Sequence, residues 1–256
     1  MWRGSAEQRA LRSESTKSGQ FAYFNRQLDY PDWSGRLVLD FGGSAGNLLR
    51  DPDCAIRPED YYCVDVIREA LEEGRKRFPA AHWVHFNHYN CSFNPEGIDG
   101  LPIPDMGIEF GMILAYSVFT HTTREDMQTL VEQLQARLAP GGVLAFTFID
   151  PHFVASPEHY KGNNLKWRLE RAHEANATID VDRLLAQSRG AAWCALVDGE
   201  ELYANGNGVW GAESPTCMTY NVFYSVEFLQ QQFPRATIRR PVNGEMQHCC
   251  IIRREA

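Results

Sequence analysis

Apolar residues come along this chain in short unbroken runs, separated by stretches in which they recur every three or four positions. "RLVLDF" (36–41), "YYCVDV" (61–66) and "HWVHF" (82–86) have the length and density of strands, as do "FGMILAYSVF" (110–119) and "VLAFTFID" (143–150). The fourth run is the longest, which predicts the centre of a sheet covered on both faces. Helical spacing falls between the runs. "QFAYFNRQLDYPDW" (20–33) reads as an amphipathic helix stopped by Pro31, and "REALEEGRKRF" (68–78) as a charged helix stopped at Pro79. Met127, Leu130, Val131, Leu134 and Leu138 form one stripe of a helix that starts near Thr122 and ends at "APGG". Strands alternating with helices imply parallel pairing through right-handed crossovers.

The pattern changes after Pro151. "NNLKWRLERAHE" and "VDRLLAQS" are helical, whereas "DGEELYANGNGVWGAESP" is rich in turn formers and aromatic residues. A segment this long inside a compact domain reads as a lid or binding element. The chain then returns to a regular pattern with a helix, "SVEFLQQQF", and two strands in "ATIRRPVNGEMQHCCIIRR", where Asn243-Gly244 is a hairpin signal. The prediction is a single α/β domain over residues 1–256. Its doubly wound, mostly parallel seven-stranded sheet is closed by an antiparallel hairpin. Residues 1–33 form an N-terminal arm and helix, and 151–220 a lid insertion between strands five and six.

Composition narrows the partners. With 44% hydrophobic residues the chain can fill a core of its own, and its net charge of −8 offers no footprint for nucleic acid or an anionic membrane. The N-terminal 20 residues lack the apolar core of a signal peptide, and no segment is long and apolar enough to span a bilayer, so the expected location is cytoplasmic. Seven cysteines with no C-x-x-C pair read as free thiols in a reducing compartment. His82, His85 and His88 stand three apart, but on a strand that spacing sends side chains to opposite faces, so no metal site is expected there.

The chemistry concentrates in "DFGGSAG", residues 40–46. Glycines directly after a strand let the backbone approach a ligand closely, and the first strand of an open parallel sheet ends beside its ligand crevice. Asp40 puts a carboxylate just before the turn. Asp65 closes the second strand about 20 residues beyond Gly46, the interval at which an acid accepts hydrogen bonds from ribose hydroxyls. These features call for a nucleoside-containing ligand. A dinucleotide is disfavoured, because Phe41 occupies the place of the first glycine in G-x-G-x-x-G.

The stretch resembles the first motif of class I S-adenosylmethionine-dependent methyltransferases, an acid followed by G-x-G-x-G, written here Asp40, Gly42, Ser44 and Gly46 with serine in the middle place. "LAPGG" before strand five and the closing antiparallel strand suit the same family, and the resemblance covers about residues 20–150 and the terminal hairpin. It implies a Rossmann-like methyltransferase fold with S-adenosylmethionine as cofactor. One departure concerns the first helix, which Pro52 in "NLLRDPDC" should end after little more than a turn. By the resemblance, Asp40 and the amides of Gly42, Gly43, Ser44 and Gly46 hold the methionine portion, Asp65 the ribose, and Val66 lies against adenine. The adenine edge falls to Asn87, Tyr89 or Asn90. Tyr116, at the end of strand four, approaches the reacting centre. Tyr23 and Phe24 suit either a lid over the methionine end or packing into the core.

Methyl transfer asks mainly for positioning and exclusion of water, plus removal of a proton from a neutral nucleophile. His121 follows strand four and His152 strand five, both at the ligand-bearing edge, and one of them is the candidate base. Tyr160, Trp167, Trp193, Tyr203, Trp210 and Glu213 in the insertion suit a small metabolite, methylated on oxygen or nitrogen. A peptide or protein side chain is the enzymatic alternative, and binding of the cofactor without transfer is the non-enzymatic one.

Overall fold

The computed structural model describes residues 19–153, 165–197, 201–204, 220–242 and 245–256. Tyr160, Trp210, Glu213, the Asn243-Gly244 pair, the arm before Gly19 and the Tyr203 side chain lie outside the described residues.

Seven strands form the main sheet: β1 Val38–Phe41, β2 Tyr61–Asp65, β3 His82–His85, β4 Phe110–Ala115, β5 Leu138–Phe148, β9 Thr237–Arg239 and β10 His248–Arg253. They lie in the order β3-β2-β1-β4-β5-β10-β9. β1 pairs parallel with β2 and β4, β4 with β5, and β2 with β3, while β10 runs antiparallel to both β5 and β9. The predicted parallel sheet with an antiparallel closure is therefore present. Its chain order reverses between β1 and β4, so the β1 turn sits at the switch point where such sheets take ligands.

Both faces are covered, which explains the unbroken apolar runs. Leu39, Phe41, Ile113, Leu144, Phe146 and Phe148 point to one face, under helix α3 (Arg124–Gln135) and helix α6 (Val226–Gln232). Val38, Met112, Leu114, Val143 and Ala145 point to the other, under helix α1 (Gln20–Gln27) and helix α2 (Arg68–Arg77). Met127, Leu130, Val131 and Leu134 are the buried stripe of α3, which Thr123 caps by accepting from the Asp126 amide.

Several boundaries differ from the sequence reading. α3 ends at Gln135, and Leu138, read as the last position of its stripe, opens β5 with the "APGG" segment and pairs with Phe110 of β4. α1 stops at Gln27 rather than running to Pro31, because Asp29 and Tyr30 both take left-handed backbone (φ 61° and 55°). No helix follows Gly46. Residues 44–50 are consecutive turns, since Pro52 leaves too few residues to nucleate one. Asp51 instead accepts from the Ala22 amide at 3.0 Å and ties these turns to α1. The β9–β10 connection is also longer than a tight hairpin: Glu245 N donates to Val242 O, but ladder pairing begins only at Arg239 and Cys249. Pro241 has no amide to lend to a ladder.

The insertion builds a second sheet that the sequence did not announce: β6 Trp193–Val197 between β7 Glu201–Ala204 and β8 Tyr220–Tyr224, all antiparallel. Trp193, Ala195 and Val197 pack into the main core, while Cys194 and Leu196 face Leu165 and Leu169 of α4 (Leu165–Ala175) and Leu184 of α5 (Val181–Ser188). Val222 N donates to Thr120 O and Tyr224 N to Ile149 O, so β8 is stitched to the ends of β4 and β5. Among the described residues, no helix is long and apolar enough to cross a membrane.

Candidate active site

The glycine turn closes against its neighbours on all sides. Gly42 takes φ 75° and donates its amide to Val64 O at 2.7 Å, joining the turn to β2. A Cβ on Gly43 would lie 2.4 Å from the Asp40 carboxyl carbon and 2.9 Å from Cys63 Sγ, so only glycine fits over that acid. Gly46 N donates to Gly43 O at 3.0 Å. Ser44, the residue in the place of a family glycine, takes left-handed backbone at φ 56°. A non-glycine residue there costs about 1–2 kcal/mol, which Ser44→Gly removes at an unfolded-state cost of about 0.5–1 kcal/mol. Ser44→Gly should therefore leave the melting temperature equal or slightly raised, whereas β-branched Ser44→Val should lower it by several degrees in a thermal denaturation. A clear fall with glycine would mean that the serine side chain itself secures the turn.

Two buried acids flank this turn. Asp65 accepts from Ser44 N at 2.7 Å through Oδ2 and from Ile67 N at 2.8 Å through Oδ1, so it pins both the turn and the start of α2. Burial raises its carboxyl above the ordinary range, against the pull of these amide bonds. Asp40 accepts from the Tyr61 hydroxyl at 2.5 Å. Its carboxyl is pushed up to about 7, first by burial and further by Asp65, with the Tyr61 hydrogen bond opposing. The amides of Gly42 and Ser44 are thus engaged by β2 and that of Gly46 within the turn, and the strand edge presents a closely fitted backbone beside two carboxylates.

A polar network at the ends of β4, β5 and β10 extends the site. Tyr116 is half-buried and meets Tyr23 edge-on at 5.3 Å and Phe24 at 6.0 Å, both buried on α1. The Tyr23 hydroxyl donates to Gln247 O at 3.0 Å. Thr147 Oγ1 bonds the Gln247 side chain and accepts from Ser117 N at 2.7 Å, and Gln247 Nε2 donates to Ser117 Oγ at 3.2 Å. Ser117 has left-handed backbone, φ 59°. Ser117, Thr147 and Gln247 escaped the sequence reading. The only signal was a lone hydroxyl residue inside each of two apolar runs.

The loop after β3 holds the other candidates. Asn90 is buried and spends its side chain on structure, donating to His121 O at 2.8 Å and accepting from Ser92 N and Phe93 N, both at 3.0 Å. Asn87 Oδ1 accepts from Asn94 at 3.2 Å, and Tyr89 and Val66 are half-buried against the main core. His121 is half-buried, its ring edge-on to Phe93 at 5.4 Å. His152 is exposed and lines a different place, a cleft beyond the end of β5 whose walls do not include His121. Its Nε2 lies 3.1 Å from Ser188 O, so that nitrogen donates. His82, His85 and His88 do not converge: His82 stacks on Tyr62, His85 faces Arg68, and His88 faces Leu101 O and Asp126.

The strand order, the glycine turn at the switch point and the acid closing β2 define the class I S-adenosylmethionine-dependent methyltransferase fold. Residues 39–144 match the family model described as "Methyltransferase domain". Among solved structures, the chain is similar to an S-adenosylmethionine-dependent methyltransferase from Clostridium acetobutylicum, at 11% identity and TM-score 0.50 over 93% of this chain and 91% of that one. It is similar also to CalS10, an amino pentose methyltransferase from Micromonospora echinaspora involved in calicheamicin biosynthesis, at 13% identity and TM-score 0.50 over 98% of each chain. The glycopeptide N-methyltransferase MtfA in complex with S-adenosylmethionine aligns at 11% identity and TM-score 0.51 over 93% of this chain and 94% of that one. No curated protein matches the chain.

Proposed function

We propose that this protein is a methyltransferase that uses S-adenosylmethionine to methylate an oxygen or nitrogen of a small-molecule metabolite. The observation that carries the reading is the pair of acids around the glycine turn, Asp40 and Asp65, at the strand edge where the sheet order reverses. The donor set fits the cofactor. Asp65 is fixed by backbone amides, those of Ser44 and Ile67 on separate oxygens, and its carboxylate is of the kind that accepts ribose hydroxyls. Asp40 offers negative charge to a cationic methionine portion, and the half-buried ring of Tyr116, backed by the core residues Tyr23 and Phe24, suits a sulfonium as it would any soft cation. Bound there, S-adenosylmethionine supplies an electrophilic methyl group. Val66 lines the adenine side, and Asn87 or Tyr89 is better placed than Asn90 for the adenine edge, since the Asn90 side chain already clamps the loop. Between the candidate bases, His152 is favoured by the cleft it lines. A small acceptor agrees with the acidic charge, and a cytoplasmic setting with the six described cysteines, all free thiols.

Thermal denaturation with nucleotide ligands tests the cofactor. S-Adenosylhomocysteine at about 100 times its dissociation constant adds about 2.7 kcal/mol, which in a chain of this size raises the melting temperature by about 5–10 °C. NAD should leave it unchanged, because no pyrophosphate fingerprint is present. Stabilisation by NAD and not by S-adenosylhomocysteine would overturn the reading. Stabilisation by S-adenosylhomocysteine without methylation of any acceptor would assign the chain to binding without transfer.

A further inference from the structure

The same sheet edge carries a concavity beyond β5. Where β5 ends, β10 begins and α6 starts, a cleft of about 670 Å³ opens, a volume typical of metabolite sites. Phe153 and Phe228 give it apolar wall, and Asp150, Arg240 and His248 give it charge and hydrogen-bonding capacity.

His248 is the informative residue. It is 1% exposed, its ring stacked on Phe148 at 5.1 Å and edge-on to Phe153 at 4.7 Å. Its Nδ1 is buried with no hydrogen-bond partner among the described residues. Buried polar atoms nearly always find a partner, so an unmet one in the wall of a cleft marks a place that a ligand completes. Burial lowers the imidazole to about 4, with Asp150 opposing and Arg240 assisting, so at neutral pH the ring is uncharged and retains a lone pair.

The charges around it are fixed in complementary positions. Asp150 accepts from His152 N at 2.9 Å and Val226 N at 3.2 Å, which holds its carboxylate at the cleft. Glu227 adds a second acid, and Arg240 supplies the opposite charge; both are exposed. A purely anionic guest would meet two acids, and a purely cationic one would meet Arg240. A molecule bearing both charges meets neither conflict.

We propose that this cleft is the acceptor site and takes a small zwitterion with an apolar side chain, its amine held by His248 and Asp150 and its carboxylate by Arg240. Phe153 and Phe228 receive the apolar part. The word acceptor rests on the methyl-transfer reading; the binding of a zwitterion does not.

Titration calorimetry on the protein saturated with S-adenosylhomocysteine tests it, with L-phenylalanine as probe, and phenethylamine and 3-phenylpropanoate as the probes lacking one charge. L-Phenylalanine should bind at least tenfold tighter than either. Arg240→Gln should bring L-phenylalanine down to the level of phenethylamine and leave phenethylamine unchanged. His248→Phe keeps the aromatic packing, and should weaken L-phenylalanine and phenethylamine about tenfold but not 3-phenylpropanoate. Unaltered affinity for S-adenosylhomocysteine in both variants shows that they are folded. No binding of L-phenylalanine, or binding indifferent to Arg240→Gln, overturns the proposal. If S-adenosylhomocysteine fails to bind the wild type while the zwitterion pattern holds, the cofactor reading falls and the cleft assignment stands.

Discussion

Asp65→Ala should weaken S-adenosylhomocysteine binding at least tenfold and lower the melting temperature with it. The two effects have different origins in one carboxylate. Asp65 is buried and accepts Ser44 N and Ile67 N, so alanine leaves two amides without their charged acceptor. Hydrogen bonds to a charged group contribute about 1.5–3 kcal/mol each, but removing Asp65 also relieves a carboxylate that burial disfavours. A net destabilisation of about 2–3 kcal/mol results, enough to be seen without unfolding the chain. The binding loss comes from the missing ribose contact, where one charged hydrogen bond alone is about a tenfold change or more. A double-mutant comparison separates ribose recognition from damage to the turn. The 2′-deoxy analogue of S-adenosylhomocysteine should bind wild type more weakly than the parent compound, and Asp65→Ala should no longer distinguish the two. Full affinity in Asp65→Ala, or a preference for the ribose hydroxyl that survives in it, would place the ribose elsewhere.

Parts of this protein that depend on local pattern were legible in its sequence. β1, β2, β4 and β5 are buried on both faces, so each had to be an apolar run, and α3 buries one stripe, so Met127, Leu130, Val131 and Leu134 had to recur at helical spacing. The glycine turn was legible for the same reason, because Gly42 needs its backbone angle and Gly43 its missing Cβ whatever the rest of the chain does. Features that depend on partners far along the chain were not legible. β8 exists because it pairs with β6, and Val222 and Tyr224 fix its place by reaching the carbonyls of Thr120 and Ile149; nothing in "YNVFY" names those partners. His248 was passed over because "HCCIIR" shows an apolar strand without showing that its first residue stands at the wall of a cleft. Histidine-to-site assignment from strand order alone put His121 and His152 at one edge; only the side-chain surroundings separate a ring packed on Phe93 from one lining the cleft.

Asp40→Asn should flatten the dependence of stability on pH between about 4 and 7. Asp40 is 1% exposed and its carboxyl sits at about 7, raised by burial and by Asp65 against the Tyr61 hydrogen bond. In the unfolded chain an aspartate loses its proton near pH 3.9, so between that value and about 7 the folded state holds a proton that the unfolded state has released. Its contribution to stability is therefore fullest below pH 4, declines as pH rises through this window, and stays level above it. A shift of about three units corresponds to about 4 kcal/mol, an upper figure that local relaxation reduces. Asparagine retains an oxygen for the Tyr61 hydroxyl and cannot ionise. The variant should then be more stable than wild type at pH 8 by a few kcal/mol and equal to it at pH 4, read as the difference between two urea series so that other carboxylates cancel. Parallel curves would show that Asp40 does not titrate in that range. The functional consequence concerns cations. A carboxyl poised near neutrality beside the turn gives up its proton when positive charge arrives, so S-adenosylmethionine, with its sulfonium, should release more protons on binding at pH 7 than S-adenosylhomocysteine does. Calorimetry in buffers of different ionisation enthalpy reads that difference. On the proposed placement of the cofactor, Asp40→Asn should abolish it and bind the sulfonium form with less preference over S-adenosylhomocysteine, because the methyl donor carries a sulfonium charge that the spent cofactor lacks.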